Sequence, residues 1–232
     1  VFWTVPARYS SAEEYTFYDS FPVSINEPAG IAYDTVNKSL YIAERGTRCI
    51  FEISKAGFPR GTIFVDVKKI ADMTFSPRGE GGFFITQGER GEILETDRHG
   101  CLRRTFQLPE NLQKEKIKAV TINPENGRVF VVTEGGQDGV LEMTLEGSCK
   151  SHVSFKDIKG IDAVHYDPIS HHLLLLCSGK SQLYEATSEG EVIDNLPLEA
   201  VGAEGVTRDE AGLLYVLCEK SKRVYVYIPK KG

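Results

Sequence analysis

The sequence has no long hydrophobic run and no excess of positive charge. Its longest strongly apolar stretch, Leu173 to Cys177, is far shorter than the roughly 20 residues that a membrane-spanning helix needs. The 232 residues include 27 Lys and Arg against 33 Asp and Glu, which gives a formal net charge of −6. Nucleic acid requires a clustered cationic face. We therefore expect neither a membrane span in this chain nor a nucleic-acid partner.

Cysteine is scarce, and its spacing matches no metal motif. The cysteines are Cys49, Cys101, Cys149, Cys177 and Cys218. An odd number cannot pair completely within one chain, no two form Cys-x-x-Cys, and no histidine lies at zinc-finger spacing from them. A structural zinc site is therefore not expected. The thiols neither require nor exclude an oxidising compartment.

Common catalytic motifs are also missing. Neither His-Glu-x-x-His nor Gly-x-Ser-x-Gly occurs in the chain. Ser178-Gly179-Lys180-Ser181 is similar to the end of a phosphate-binding loop, but the upstream glycine and a following helix are absent. This segment is predicted to be a hairpin turn, and the sequence predicts no catalytic residues.

What the sequence does contain is an internal repeat. Five segments share one pattern, whose central aliphatic residues recur every 42 to 47 residues at Ile31, Met73, Val120, Val164 and Val206. In each unit a turn and a short apolar strand follow, and most units then show a third strand and a turn glycine before an outer strand. Four strands in a unit of this length are typical of a β-propeller blade. A β-sandwich predicts no such period.

The repeat predicts an all-β, five-bladed β-propeller with about 44 residues and four antiparallel strands in each blade. We expect a single domain over residues 1–232, with an N-terminal arm at 1–14 and blades that start near residues 28, 70, 117, 161 and 203. The fifth unit reaches only its third strand, Arg223 to Ile228. Its outer strand is therefore expected from Tyr15 to Tyr18, which would hide an exposed sheet edge.

The chain begins with Val1 and not with methionine, so we expect a processed or trimmed terminus. Val1 to Pro6 is apolar and aromatic. This segment fits the end of a removed signal or membrane anchor. It equally fits an ordinary arm that packs on the domain.

Two of the repeats resemble a known family. Glu204-Gly205-Val206, followed by Asp209 to Val216, resembles the closing repeat of the SdiA-regulated bacterial propellers, which are distantly similar to NHL-repeat proteins. The segment Asp162 to Tyr184 resembles that family's fourth repeat, and the resemblance extends over about residues 25–228. It implies a five-bladed propeller outside the cytoplasm, periplasmic or membrane-anchored, with a calcium site lined by acidic residues at the Glu-Gly-Val-type positions.

The first positions of these motifs only partly match a calcium site. They are Ala29, Ala71, Lys118, Asp162 and Glu204. The first strands of propeller blades line the axis, so these residues are expected to be neighbours, and Lys118 is expected to replace the metal in a salt-bridged cluster. Alternatively, Glu204, Asp162 and backbone carbonyls hold calcium while Lys118 turns away. A third interpretation leaves three solvated charges at the opening.

Two further sets of acidic residues lie near this face in the sequence pattern, and only one of them is expected to point toward it. Asp72 lies one position along from Ala71, where strand alternation is expected to turn its side chain elsewhere. A second acidic set follows the second strands and is expected to form a ring suited to a cationic or polyhydroxyl ligand, unless its members are only solvated loop residues. Its members are Glu44, Glu89, Glu134 and Glu219, with Ser178 in the fourth unit.

These observations favour a non-catalytic, extracytoplasmic propeller that binds a partner protein or a small polar ligand at the axial opening. The residues expected to bind are Lys118, Asp162, Glu204, Glu134 and Glu219. The expected cofactor is none or calcium at Glu204 and Asp162. The alternative is a calcium-dependent hydrolase of the lactonase or esterase type, in which a channel metal polarises a carbonyl. A scaffold that uses only its outer edges is the remaining hypothesis.

Overall fold

Twenty strands form five antiparallel sheets of four strands each in the computed structural model, which describes residues 14–88, 91–134 and 139–230. The predicted five-bladed β-propeller is confirmed. The N-terminal arm predicted at 1–14 lies outside the described residues, apart from Glu14. Regular helix in the described part is limited to the 3₁₀ turns Glu110–Leu112 and Ser178–Lys180.

Each blade except the last takes its four strands in chain order from the axis outward. The first strand of the chain, β1, is Tyr15–Pro22. Blade 1 contains β2 (Pro28–Asp34), β3 (Ser39–Glu44), β4 (Cys49–Ser54) and β5 (Pro59–Phe64). Blade 2 contains β6 (Asp72–Ser76), β7 (Gly82–Thr86), β8 (Glu92–Thr96) and β9 (Leu102–Gln107). Blade 3 contains β10 (Lys116–Ile122), β11 (Val129–Glu134), β12 (Val140–Met143) and β13 (Cys149–Val153). Blade 4 contains β14 (Ala163–Tyr166), β15 (Leu173–Cys177), β16 (Gln182–Ala186) and β17 (Val192–Pro197). Blade 5 contains β18 (Ala203–Arg208), β19 (Leu214–Cys218) and β20 (Arg223–Pro229), and β1 completes it.

Closure of the ring joins the two ends of the described chain. Strand β1 pairs antiparallel with β20, with Thr16 opposite Ile228 and Phe21 opposite Val224. The Phe17 ring packs edge-on against Tyr227 at a centroid distance of 5.9 Å. The prediction that the N-terminal strand completes the last blade is therefore confirmed.

The hydrophobic core lies between neighbouring blades and not at the axis. Five clusters of buried side chains each draw on two successive blades. Between blades 1 and 2, for example, Tyr41 packs edge-on against Phe83 with ring centroids 5.0 Å apart, and Phe75 contacts both rings. Because this apolar packing holds the blades face to face, the axis is left for polar groups.

At the axis, side chains of one blade accept hydrogen bonds from the inner strand of the next. The inner strands of adjacent blades share no backbone ladder, so buried N–H groups on that side need other acceptors. Asp72 Oδ2 accepts from Val120 N at 3.0 Å. Thr121 Oγ1 accepts from Tyr166 N at 3.0 Å, and Thr207 Oγ1 accepts from Tyr33 N at 3.1 Å.

The turns after the inner strands are stabilised by buried side chains at one repeated position. Asp34, Asn123, Asp167 and Asp209 each accept a hydrogen bond from the N–H group two residues further on, which is the geometry of an Asx-turn. The three aspartates are also each paired with a cation from the following blade. The pairs are Asp34 with Arg98, Asp167 with Arg208, and Asp209 with Lys55. Inter-blade ion pairs therefore stabilise the face opposite the starts of the inner strands.

The ion pair between Arg208 and Asp167 makes the stability of the fold depend on pH. Both side chains are buried, and Nη1 lies 2.5 Å from Oδ2. Burial acts to raise the pKa of Asp167, but the Ser170 hydroxyl and the Arg208 guanidinium outweigh it and hold that pKa below its ordinary value. The ionised carboxylate therefore stabilises the fold above about pH 4, and this contribution is lost as the pH falls through the folded-state pKa.

We expect Arg208→Met to lower the free energy of unfolding by about 3 kcal/mol at pH 7, because it leaves a buried charge unpaired. The deficit should shrink toward pH 3, where the carboxyl becomes protonated. Urea unfolding at both pH values measures it, with Arg208→Lys as the charge-conserving control. An equal deficit at both pH values would contradict the ion-pair account.

The closing strand β1 covers the edge of β20. Deletion of residues 1–22 removes β1 and exposes the edge of β20, so we expect the truncated chain to unfold at lower temperature and to aggregate. A synthetic peptide that spans Glu14 to Pro22 should restore part of the melting temperature, whereas a scrambled peptide should not. A truncated chain that melts like the full chain would show that β1 is dispensable for closure.

Candidate functional site

A pocket of about 260 Å³ opens at the axis, on the face where the inner strands begin. All five blades contribute to its wall. Small residues on one side (Gly30, Ala71 and Gly88) leave the space open. The charged residues that line it are Arg45, Asp72, Lys116, Lys118, Glu134, Asp162 and Glu204.

Backbone bulges direct the central side chains toward this pocket. Lys118 is the extra residue between Ile117 and Ala119 in the pairing of β10 with β11. Glu204 holds the same position in β18, between Ala203 and Gly205. A bulge sets two successive residues against one residue of the partner strand and re-aims a side chain. The repeated pattern therefore brings residues that are distant in sequence to one opening.

Lys118 and Asp162 form a charge pair in the pocket that Ser178 also contacts. Lys118 Nζ lies 2.5 Å from Asp162 Oδ1. Asp162 Oδ2 accepts hydrogen bonds from the backbone N–H of Ser178 at 2.9 Å and from its hydroxyl at 2.5 Å. Burial acts to raise the pKa of Asp162, but these donors outweigh it and hold the pKa below its ordinary value. Asp162 is therefore a fixed carboxylate at neutral pH.

Two further cations are paired with the remaining glutamates. Arg45 Nη2 lies 3.1 Å from Glu204 Oε2 and 3.7 Å from Glu219 Oε2. Burial and the neighbouring Glu219 raise the pKa of Glu204, and Arg45 opposes that shift. At the rim, Lys116 Nζ lies 3.4 Å from Glu134 Oε2, and both of these side chains are exposed.

The structure brings together most of the residues that the sequence predicted for this face. Lys118, Asp162, Glu204 and Glu134 line the pocket, and Glu219 reaches it through its contact with Arg45. Whether these residues bind a ligand stays a prediction. Among the other members of the acidic set, Glu44 accepts a hydrogen bond from Asn26 N at 3.2 Å, Ser178 contacts Asp162, and Glu89 lies outside the described residues.

The expectation that Asp72 turns away from this face is wrong. Ala71 donates its N–H to the Thr86 carbonyl, and Asp72 pairs with the same residue. Two residues therefore face one, strict alternation is interrupted, and the Asp72 carboxylate enters the pocket wall.

Arg45 and Lys116 were also missed. Arg45 directly follows Glu44, so the reasoning that singled out the loop after the second strand could have found it one residue later. Lys116 lies two residues before Lys118, and it occupies no repeat position or motif that would have marked it.

Asp72 has a different environment from the other carboxylates. Its side chain is 7% exposed, and burial raises its pKa to about 7, although the N–H groups of Val120 and Met73 and the charge of Arg45 favour the ionised form. No Lys, Arg or His in the described chain forms an ion pair with it. Among the described carboxylates that line the pocket, Asp72 is the one that no cation contacts.

The residues of the pocket do not fit the calcium site that the family resemblance implies. Calcium takes six to eight oxygen ligands, whereas Lys118 and Arg45 occupy the contact positions on Asp162 and Glu204. Within the described ranges, no group of three or more His, Cys, Asp or Glu side chains is arranged to hold a metal ion.

His165, the one histidine of an inner strand, does not line this pocket. Its Nε2 is buried, and no residue in the described ranges forms a hydrogen bond with it. Burial lowers the pKa of His165 to about 4, so the imidazole is neutral at physiological pH.

A family model matches part of the chain. The family described as SdiA-regulated matches residues 148–227, which comprise the end of blade 3, blade 4 and most of blade 5. No curated protein matches the chain.

Solved structures similar to this chain share its fold at low sequence identity. A streptogramin B lyase structure has a TM-score of 0.54 and 17% identity, over 88% of this chain and 66% of that chain, so this chain spans just under two thirds of the lyase. A protein of unknown function from Bacteroides caccae has a TM-score of 0.54 and 14% identity, over 82% of this chain and 70% of that one. A catalytically inactive virginiamycin B lyase from Staphylococcus aureus, solved with quinupristin, has a TM-score of 0.54 and 15% identity, over 94% and 76%. The chain is thus similar to the SdiA-regulated family over residues 148–227 and has a propeller fold that it shares with these structures.

Proposed function

We propose that this protein is a non-catalytic, extracytoplasmic β-propeller that binds a small polar ligand, or a polar group of a partner protein, in the axial pocket. The observation that carries the proposal is the convergence of charged side chains from all five blades on one opening. Convergent polar groups in a concave site are the usual mark of a binding site.

The size and chemistry of the pocket define what it accepts. A volume of about 260 Å³ corresponds to roughly nine water molecules and falls below the range of drug-sized sites. Its described wall presents three cations and four carboxylates and few apolar side chains. A small molecule rich in hydrogen-bonding groups suits this wall better than a lipid or an aromatic compound.

The wall is already organised in the free protein. Asp162 is held by Lys118 and Ser178, and Glu204 is held by Arg45. Groups that are fixed before binding lose little conformational entropy when a ligand arrives. This arrangement supports binding, and the described residues that line the pocket include no nucleophile paired with a base.

The extracytoplasmic location rests on the resemblance to the SdiA-regulated family over residues 148–227. In the part of the chain that the structure describes, no helix has the length and apolarity needed to cross a membrane. Fractionation of the native host with an antibody against the propeller tests this location, which a cytoplasmic signal would contradict.

A defined panel of small probes tests the binding function. The panel contains ethanolamine, putrescine, ethylene glycol, 1,4-butanediol, succinate and glucose at millimolar concentration, with saturation-transfer NMR as the readout. Ala71→Phe fills the pocket, and Ala71→Ser leaves it open as the matched control. We expect at least one probe to bind the wild type and the serine variant but not the phenylalanine variant.

Two outcomes would contradict the binding proposal. If no probe binds the wild type, the pocket is not a small-molecule site of this size and chemistry. If a probe binds Ala71→Phe as well as the wild type, binding takes place elsewhere. A partner protein captured equally by both variants would point to the outer edges of the blades.

Melting in calcium and in chelator separates the internal ion pair from a metal site. We expect the melting temperature of the wild type to be the same in calcium chloride and in EDTA. Lys118→Met should lower it by about 2–4 °C, which corresponds to about 1 kcal/mol, because Asp162 loses its counter-charge. Lys150→Met, on the exposed outer strand of blade 3, is the control for loss of a lysine. A rise in calcium that EDTA reverses would favour the metal and the hydrolase alternative, since a ligand of the native state stabilises it.

A further inference from the structure

We propose that Asp72 and Gly30 form a subsite for an ammonium group, so that the ligand of the axial pocket is a small amine. This inference rests on the proposed function and names the ligand class for the same pocket. Asp72 is then the residue that determines which ligands the pocket binds.

The first support is that no cation of the described chain is in direct contact with Asp72, although the charge of Arg45 acts on it from within the pocket. Each of the other described carboxylates of the pocket wall lies within 3.5 Å of a side-chain nitrogen: Asp162 of Lys118, Glu204 of Arg45, and Glu134 of Lys116. No Lys, Arg or His of the described chain is in such contact with Asp72. Its side chain is also more than nine-tenths buried, so water does little to offset its charge.

The second support is the geometry on either side of the carboxylate. Oδ2 accepts from Val120 N of blade 3 at 3.0 Å. Oδ1 lies on the other side, against Gly30 of blade 1, where a Cβ would overlap it. Gly30, Asp72 and Gly88 all line the pocket. Asp72 thus lines the pocket with one oxygen anchored by blade 3 and the other packed against a residue of blade 1 that has no side chain.

The third support is the balance of charge. Among the described residues, four carboxylates and three cations line the wall when Asp72 is ionised, and Glu219 contacts Arg45. This described part of the wall therefore carries an excess of negative charge, which favours a cationic ligand and disfavours an anion. An anionic ligand would also have to displace Asp162, Glu204 or Glu134 from its cation, whereas an ammonium at Asp72 displaces none of them.

Matched pairs of probes test this inference on the wild-type protein. Ethanolamine is compared with ethylene glycol, and putrescine with 1,4-butanediol, so that each pair differs only in replacing hydroxyl by ammonium. At pH 8 we expect each amine to bind at least tenfold more tightly than its alcohol. The affinity of putrescine should fall as salt is added.

Asp72→Asn provides the residue-specific test. Asparagine keeps an oxygen that can accept from Val120 N and loses the negative charge together with one acceptor oxygen. The contact between blades 2 and 3 should therefore still form, and a melting curve verifies that the variant folds. We expect at least a tenfold loss of putrescine affinity at pH 8. Asp19→Asn removes the same charge from the exposed outer strand β1 and should leave the affinity unchanged.

The outcomes distinguish this inference from the proposed function. If alcohols or succinate bind the wild type as well as the amines do, and Ala71→Phe blocks them, the pocket binds ligands but the ammonium subsite is wrong. If amines bind Asp72→Asn as tightly as the wild type, Asp72 is not the specificity-determining residue. If no probe of any class binds, both proposals fail. Should Asp72→Asn not fold, the comparison of amines with alcohols on the wild type still decides.

Discussion

The inner strands of this propeller have a hydrogen-bonded partner on one side only, and the structure depends on how their free side is satisfied. Asp72, Thr121 and Thr207 each accept an N–H from the following blade. Because buried backbone donors require acceptors, polar side chains are needed close to the axis. The same requirement that joins the blades thus keeps the axis polar, and the apolar side chains collect between blades instead.

This polar axis explains why charge gathers at one end of it. Bulges at Lys118 and Glu204 interrupt the pairing of the inner strands near the residues where these strands begin. Side chains there converge from different blades, so most of the charges lie close enough to an opposite charge to pair with it. Lys118 with Asp162 and Arg45 with Glu204 both join different blades. The pocket is therefore an inter-blade contact, and its polar groups are fixed by that contact.

The repeat in the sequence was sufficient to predict the ring, because its period is set by four strands and their turns. It also predicted that Lys118, Asp162 and Glu204 are neighbours, since equivalent positions in a ring share a radius. It could not predict Asp72 in the same wall, because strict alternation along a strand fails where a bulge intervenes. Arg45 was missed for a different reason. The partner of a long side chain depends on its rotamer and reach, and repeat position alone does not determine either.

A high-resolution structure determined from crystals grown with calcium tests the central claim most directly, because it shows what neutralises the carboxylates at the axis. The account predicts Lys118 Nζ in contact with Asp162 and the Arg45 guanidinium in contact with Glu204, as found here. It would be contradicted by an ion at the axis with six to eight oxygen ligands at about 2.3–2.6 Å and with Lys118 turned away from Asp162.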